Sequence, residues 1–446
     1  MSISRRTAAS GFIPTTVSGK TVAIVAIAAF LPILAISFVG WWNADTLSAL
    51  VSIEPTNLLA SQAMLAGFLH PTAQGDSWLP MYRALEILHG ASRDRLYEIL
   101  FFHDHVRFQY PPSSLLALDL LSAIGISGAR ALNAINSLIF LLNAAALGFL
   151  STSLFRLLGR TSRFAAAIGI AGLAVAAAFL FYPLVRAYLL GQIQLWIDLS
   201  FTLAIICWLF RRKVLAGVFI GLACTIKPQI GLLLLWGLLW RERRFAAGIT
   251  AGLVPLLALS LLRYGIHNHV AYLGTLSFLS RHGESYFANN SVNGILNWYL
   301  SSYDSLHWYD GVFVPYNATV YAGTLAASAL ALALIVVPPL LRKRSAGLAD
   351  LSVAAICTVV GSPVAWEHHY GILLPLYLVA VHEIFALPPG RARMAAAGAL
   401  TLSWMLVADF IPFASLLAGT PFVIAQAYCF MGALLLLDFF LTPPRP

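Results

Sequence analysis

The sequence has few charged residues. Of its 446 residues only 10% are charged, whereas 60% are hydrophobic. A water-soluble domain carries about a quarter charged residues, so this composition excludes an ordinary soluble protein and indicates a chain built for a lipid bilayer. A net charge of +9 would suggest a nucleic-acid partner for a soluble chain. In a membrane chain, cytoplasmic basic loops and contact with anionic lipid explain the charge, and no nucleic-acid partner is expected.

Cysteine is scarce as well. The four cysteines, Cys207, Cys224, Cys357 and Cys429, all lie inside apolar runs. Their spacing fits no metal site, and a disulfide framework is not expected. The sequence also has no Walker loop, no dinucleotide fingerprint and no nucleotide-sugar motif. We therefore expect no cofactor and no bound metal, and these absences fit a substrate that is carried on a lipid.

What the chain does have is long apolar runs separated by basic clusters. The clusters are Arg156/Arg160/Arg163, Arg211–Lys213, Arg241–Arg244, Arg342–Arg344 and Arg391/Arg393. Placing them all on the cytoplasmic side predicts an all-α polytopic protein of the plasma (inner) membrane with both termini cytoplasmic. The apolar run 21–42 is too long for the core of a cleaved signal peptide and is expected to be a retained first span. We predict about twelve spans in a single integral membrane domain, 1–446.

Two long extracytoplasmic loops, 43–112 and 265–311, interrupt this pattern. Eight of the eleven histidines lie on or beside these loops. His368 and His369 belong to the stretch GSPVAWEHHY, which follows an outgoing span and should face the same side. A solute carrier keeps its loops short and places charges in mid-span. The pattern therefore favours an extracytoplasmic active site over a conduit.

Three further segments have a predicted course through the bilayer. The run 164–184 should go outward, and 195–210 should return. Between two basic clusters, 214–240 is interrupted by IKPQ and should form two half-spans that meet at Lys227-Pro228. Each half is shorter than the roughly 20 residues of a full span, so its apex is expected to be buried in protein.

Several sequence blocks carry a family resemblance. Asp76, followed by Tyr82, precedes RFQYPP at 107–112, GQIQLW at 191–196, IKPQ at 226–229 and SPVAWEHHY at 362–370. In this order the blocks resemble the polyprenol-phosphate-mannose-dependent mannosyltransferases of glycosyltransferase family 87, which have the GT-C fold. The resemblance covers residues from about 70 to 370. It departs from the family pattern at Ser77-Trp78, after the aspartate, and at Glu367, where the family often has aspartate.

The resemblance implies a reaction. A hexose, mannose by this resemblance, would pass with inversion from a polyprenyl-phosphate donor to a hydroxyl of a glycolipid, glycan or protein acceptor. Asp76 would be the general base. Chemistry agrees, because a carboxylate just outside a membrane helix is partly desolvated and its pKa is raised. The alternative for Asp76 is a helix N-cap, since GDSWLPMYRAL also reads as a helix start.

The histidine pair and Lys227 are the next candidates. His368 and His369 would point about 100° apart on a helix, so only one could face a given site, to contact phosphate or acceptor. Their alternative is an interfacial anchor beside Trp366. Lys227 suits a lipid phosphate or a carboxylate partner, and its alternative is a lysine satisfied by carbonyls of the broken helix.

The remaining candidates are substrate-binding. Arg107 and Tyr110 could hold phosphate or sugar, and Gln192 and Asn290 could bind sugar hydroxyls. Ordinary loop turns are the alternative for these amides. Two more candidates complete this set: Tyr82 and Glu367. The rival to an enzyme is a transporter or flippase of lipid-linked sugars.

Overall fold

The computed structural model describes residues 19–43, 56–157, 164–309, 311–341 and 344–442. Part of the first predicted loop, 44–55, lies outside these residues, as do Arg160, Arg163, Asp310, Arg342 and Lys343. The described residues form helices and no β-strand, apart from one isolated bridge between Asn289 and Trp366. The prediction of an all-α protein is therefore confirmed.

The α-helices, in chain order, are α1 (Gly19–Trp42), α2 (Asn57–Leu69), α3 (Trp78–His89), α4 (Leu116–Ala123), α5 (Ala129–Leu157), α6 (Phe164–Leu180), α7 (Tyr182–Leu189), α8 (Gln194–Leu209), α9 (Lys213–Cys224), α10 (Leu232–Leu239), α11 (Arg243–His282), α12 (Val292–Leu300), α13 (Ala318–Leu341), α14 (Leu348–Val360), α15 (Leu373–Ala386), α16 (Arg391–Ala408) and α17 (Tyr428–Leu441). Short 3₁₀ segments occur at Pro112–Leu115, Pro228–Gly231, Glu367–Ile372, Pro412–Leu417 and Val423–Ala427, and a π-helical turn at Glu98–His103.

Six helical segments of the described chain are long and apolar enough to cross a membrane, or seven if a bent pair counts as one span. Six further apolar helical segments have only 10–17 residues. The protein is therefore a multi-span membrane protein by length and composition. The expected number of about twelve spans is larger than the number that these criteria support.

The bent pair consists of α6 and α7, whose axes meet at 54°. Phe181, between them, has extended backbone angles, and Pro183 lies in the first turn of α7, where its missing N–H costs nothing. The predicted outward run 164–184 is therefore bent, because the first helix ends at Leu180 and a second helix leaves in another direction.

The predicted break at Lys227 is present. Helix α9 ends at Cys224, Lys227 is extended (φ −130°, ψ 96°), and a 3₁₀ turn leads into α10. The proline that follows Lys227 disfavours helical angles for the lysine, which explains the break. Helix α9 packs closely on α11 through glycines: a Cβ on Gly217 would lie 2.1 Å from the Phe245 carbonyl oxygen. Small residues permit this backbone approach between membrane helices.

The second predicted outer loop, 265–311, begins at a kink in α11. Gly265 has a positive φ of 78° and kinks α11, but the helix resumes and continues to His282. Its buried residues Asn268, Tyr272 and Leu279 recur at helical spacing. Asn268 Nδ2 donates to the Arg93 carbonyl (2.8 Å), which ties this helical part to the first loop. The two outer regions are therefore packed together.

Candidate active site

A cavity of about 940 Å³ lies where the two outer regions meet the histidine turn, the 3₁₀ segment Glu367–Ile372 that carries His368 and His369. Its ionisable lining residues are Asp76, Asp104, His105, Arg107, Tyr110, Arg186, Lys227, Tyr272, Tyr286, Glu367, His368 and His369. Volumes of roughly 300–1,000 Å³ are typical of ligand sites. The structure thus brings most of the sequence-predicted site residues to one cavity.

Asp76 is held by the backbone that precedes it. Asn133 of α5 donates through Nδ2 to the carbonyls of Thr72 (3.0 Å) and Gln74 (2.6 Å). The N–H of Asp76 donates to the Leu190 carbonyl (2.9 Å). Gly191, at φ 67°, lets the two segments approach, since a Cβ there would lie 2.6 Å from the Gln74 oxygen. The carboxylate is therefore fixed at the end of α7.

The Asp76 carboxylate accepts a hydrogen bond from Gln192 Nε2 at Oδ2. The carboxylate only accepts, so the amide turns its Nε2 toward it, and its Oε1 accepts from the Ser77 hydroxyl (2.5 Å) and from the Tyr110 hydroxyl (3.2 Å). Ser77 precedes α3 as its N-cap, and no N-cap side-chain bond is present. The Asp76 carboxylate therefore does not cap this helix.

Asp76 is an exposed residue that lines the cavity. The surrounding protein raises the pKa of its carboxyl above the ordinary value of 3.8. The positive charge of Arg186 and the Gln192 hydrogen bond oppose that rise. A carboxylate with a raised pKa suits a general base.

Two cations line the cavity near this carboxylate. The Lys227 ammonium donates to Gln194 Oε1 (2.7 Å). This partner is a side-chain amide, whereas the alternative considered from the sequence was a set of backbone carbonyls of the broken helix. Arg186 of α7 is half-buried and lines the same cavity. Sequence reasoning missed Arg186, although an arginine inside the apolar run YPLVRAYLL was a usable signal.

Both histidines line the cavity, which corrects the prediction that only one could face it. They lie in a 3₁₀ turn, Glu367–Ile372, and their ring centroids are 4.7 Å apart in a T-shaped arrangement. His369 also shares a small void with Lys227 and Gln194. Glu367, at the start of the turn, accepts a hydrogen bond from the Tyr428 hydroxyl.

Arg107 reaches the cavity but is already engaged by protein. Its Nε donates to Glu284 Oε1 (2.7 Å) and its Nη1 to the His105 carbonyl (3.0 Å). Its guanidinium carbon lies 4.0 Å from the centroid of Phe313. These contacts join the two outer regions. The structure therefore gives Arg107 partners within the protein, and its predicted contact with phosphate or sugar stays a prediction.

The structure does not bring Asn290 and Tyr82 to the cavity. Asn290 is fully buried; its Oδ1 accepts from the Cys429 N–H (3.2 Å) and its Nδ2 donates to the Phe287 carbonyl (3.2 Å). The Tyr82 hydroxyl accepts from the Gly128 N–H (2.8 Å). The structure does not support the predicted substrate-binding roles of these two residues, because each side chain is hydrogen-bonded to the protein away from the cavity.

Among the residues that the structure describes, no group of three or more His, Cys, Asp or Glu side chains could hold a metal ion. The paired histidines with their acidic neighbour Glu367 do not form such a group.

Comparison with family models adds the decisive finding. The model of glycosyltransferase family 87 matches residues 108–363, more than half of the chain. The chain belongs to glycosyltransferase family 87. This confirms the resemblance and makes the protein a membrane glycosyltransferase with a sugar donor and an acceptor as substrates. The match includes Arg186, Gln192 and Lys227, whereas Asp76 and the histidine pair lie outside it. A comparison with curated proteins found no match.

Proposed function

We propose that this glycosyltransferase moves a hexose, with mannose as the first candidate, from polyprenyl phosphate to an acceptor hydroxyl with inversion at the anomeric carbon. The observation that supports this best is the shared cavity of Asp76, Arg186, Lys227 and the histidine pair. The reaction needs a base for the acceptor and positive charge at the leaving phosphate. The lining offers both.

The proposed step is a single displacement. An acceptor hydroxyl gives its proton to Asp76 Oδ1, the oxygen that Gln192 does not contact. The acceptor oxygen forms a bond to the anomeric carbon while the bond from that carbon to the phosphate oxygen breaks. The electron pair leaves with polyprenyl phosphate. Attack opposite the leaving group inverts the anomeric configuration.

The leaving phosphate gains charge as the bond breaks, and preorganised donors are most effective at such a position. We assign Lys227, Arg186 and His369 to it. His369 is chosen within the pair because it shares a void with Lys227. His368, which is buried, is assigned to the acceptor side.

The proposed donor is carried on a lipid because the cavity also has an apolar part. Leu232, Leu276, Leu279, Ala331 and Cys357, from helices α10, α11, α13 and α14, belong to its lining. An apolar wall beside phosphate-binding cations suits the first isoprene units of a polyprenyl chain. The basic clusters support an active site on the extracytoplasmic side of the plasma (inner) membrane, with long outer loops and cytoplasmic termini. The GT-C fold is what the family resemblance implies.

The test is transfer by the purified protein in nanodiscs. Radiolabelled polyprenyl-phosphate-mannose and an acceptor-containing membrane extract should give a labelled product with inverted configuration. Labelled nucleotide-mannose should give none when polyprenyl phosphate is absent. Transfer from the nucleotide sugar alone would overturn the proposed donor. Transbilayer movement of unaltered lipid without transfer would support the transporter alternative.

A further inference from the structure

Helix α8 carries a carboxylate inside an apolar run. Asp198 lies in LWIDLSFTL and is 1% exposed. An ionisable residue in such a segment is costly to bury and has a partner or a function. Asp198 does not line the cavity. Its contacts, described next, lead to residues that do.

Asp198 is joined to Lys227 through one amide. Gln194 Nε2 donates to Asp198 Oδ1 (2.8 Å), and Gln194 Oε1 accepts from the Lys227 ammonium (2.7 Å). Residues 194 and 198 lie one helical turn apart on the same face of α8. A carboxylate only accepts hydrogen bonds and an ammonium only donates them. Turning the amide over would therefore lose both bonds, so Asp198 fixes the amide orientation that Lys227 needs.

The same carboxylate packs against the histidine turn. A Cβ on Gly371 would lie 2.5 Å from Asp198 Oδ2 and 2.8 Å from its Oδ1, so only glycine leaves room there. Gly371 is two residues from His369 in the same 3₁₀ turn. Within the described part of the chain, Asp198 Oδ2 has no hydrogen-bond partner. The Asp198 carboxylate thus contacts the histidine turn at Gly371 and is joined to Lys227 through Gln194.

We propose that Asp198 is a positioning residue for the donor phosphate, acting through Gln194 on Lys227. The inference rests on the proposed function, which assigns Lys227 to that phosphate. Gln194 holds one N–H of the ammonium and sets the direction of the others. Within the described part of the chain, no second hydrogen bond of the ammonium is found, so these donors are available to a phosphate in the cavity. The opposite charges of Asp198 and Lys227 also make the buried pair less costly than a lone cation.

The first test measures binding of polyprenyl phosphate, the released product, to the protein in nanodiscs. In Asp198→Asn the new amide can donate as well as accept, so Gln194 is no longer held in one orientation and its bond to the Lys227 ammonium can be lost. Binding should weaken at least about tenfold, the expected loss for one hydrogen bond to a charged group. KM for the lipid donor should rise and kcat should fall, because Lys227 is also assigned to the charge that develops on the leaving phosphate. The control is Ser200→Ala, on the same helix, whose hydroxyl bonds only the Trp196 carbonyl (2.7 Å). It should bind like the wild type.

The second test separates positioning from a general loss of structure. If Asp198 acts through Lys227, the double variant Asp198→Asn/Lys227→Met should bind no more weakly than Lys227→Met alone. Multiplying losses would mean that Asp198 acts independently and would overturn the inference. Should Asp198→Asn not fold, Gln194→Leu replaces it in the same cycle, since it removes the connecting amide.

The outcomes distinguish this inference from the proposed function. No mannose transfer from polyprenyl-phosphate-mannose by the wild type would overturn the proposed function. Normal transfer by the wild type, with equal binding of polyprenyl phosphate by the wild type and Asp198→Asn, would overturn the positioning role alone.

Discussion

Gln192 and Gln194 lie two residues apart in GQIQLW, yet they act on groups of opposite charge. Gln192 receives hydroxyl donors at Oε1 and donates to the Asp76 carboxylate. Gln194 receives the Lys227 ammonium at Oε1 and donates to Asp198. In each case the partner at one end of the amide decides what the other end can bind. One short motif thus orients both the proposed base and a proposed phosphate-binding cation.

Loss of the base itself should have the largest effect. Asp76→Asn keeps the shape and removes the proton acceptor, so kcat should fall at least about a hundredfold. The matched control is Asp94→Asn, an exposed carboxylate of the same outer loop, which should keep normal turnover. The measurement is mannose transfer in nanodiscs at equal amounts of folded protein. Near-normal turnover in Asp76→Asn would place the base elsewhere.

The two histidines test the proposed phosphate site beside Lys227. His369→Ala should weaken binding of polyprenyl phosphate about tenfold, because His369 adjoins Lys227, whereas His368→Ala should alter it less. Isothermal titration or a displacement assay with polyprenyl phosphate measures both variants. Equal, mild losses would make the pair an interfacial anchor.

Gln192→Leu should lower turnover by about tenfold or less and shift its pH dependence. Asp76 acts in its ionised form, so kcat/KM rises as pH increases through the pKa of this carboxyl. The Gln192 hydrogen bond lowers that pKa against the effect of burial. Its removal should move the rise to higher pH. A rise at unchanged or lower pH in a folded Gln192→Leu protein would contradict the assigned role, and Gln194→Leu should leave the midpoint in place.

The smallest effect on turnover is expected at Arg107, a cation that the protein itself engages. Arg107→Met should change transfer only a few-fold but lower the free energy of unfolding by roughly 3–5 kcal/mol, since it leaves Glu284 buried without its partner. Thermal unfolding measures this, and adding Glu284→Gln should restore part of the loss. The control Arg83→Met breaks an exposed ion pair and should be nearly neutral. A large rise in donor KM would make Arg107 a phosphate ligand after all.

Local chemistry made part of this molecule predictable. The break at Lys227 follows from the proline beside it, and the family follows from blocks that lie in order along the chain. Burial against distant residues was not predictable. Asn290 is held by Cys429 and Arg107 by Glu284, 139 and 177 residues away in sequence, so neither partner is visible in the local pattern.

Two other features were present in the sequence but were not used. Asp198 and Arg186 each interrupt an apolar run, which is a recognised sign of function in a membrane segment. The prediction for the histidine pair assumed an α-helix. The pair lies in a 3₁₀ turn, and both residues line the cavity.

The central claim is that one cavity holds a base and a separate phosphate-binding group. Transfer and polyprenyl-phosphate binding should be measured on the same nanodisc preparations of Asp76→Asn and Lys227→Met. We predict that Asp76→Asn loses transfer but binds polyprenyl phosphate like the wild type, whereas Lys227→Met loses binding at least about tenfold. Retained transfer in Asp76→Asn, or unchanged binding in Lys227→Met, would contradict the account.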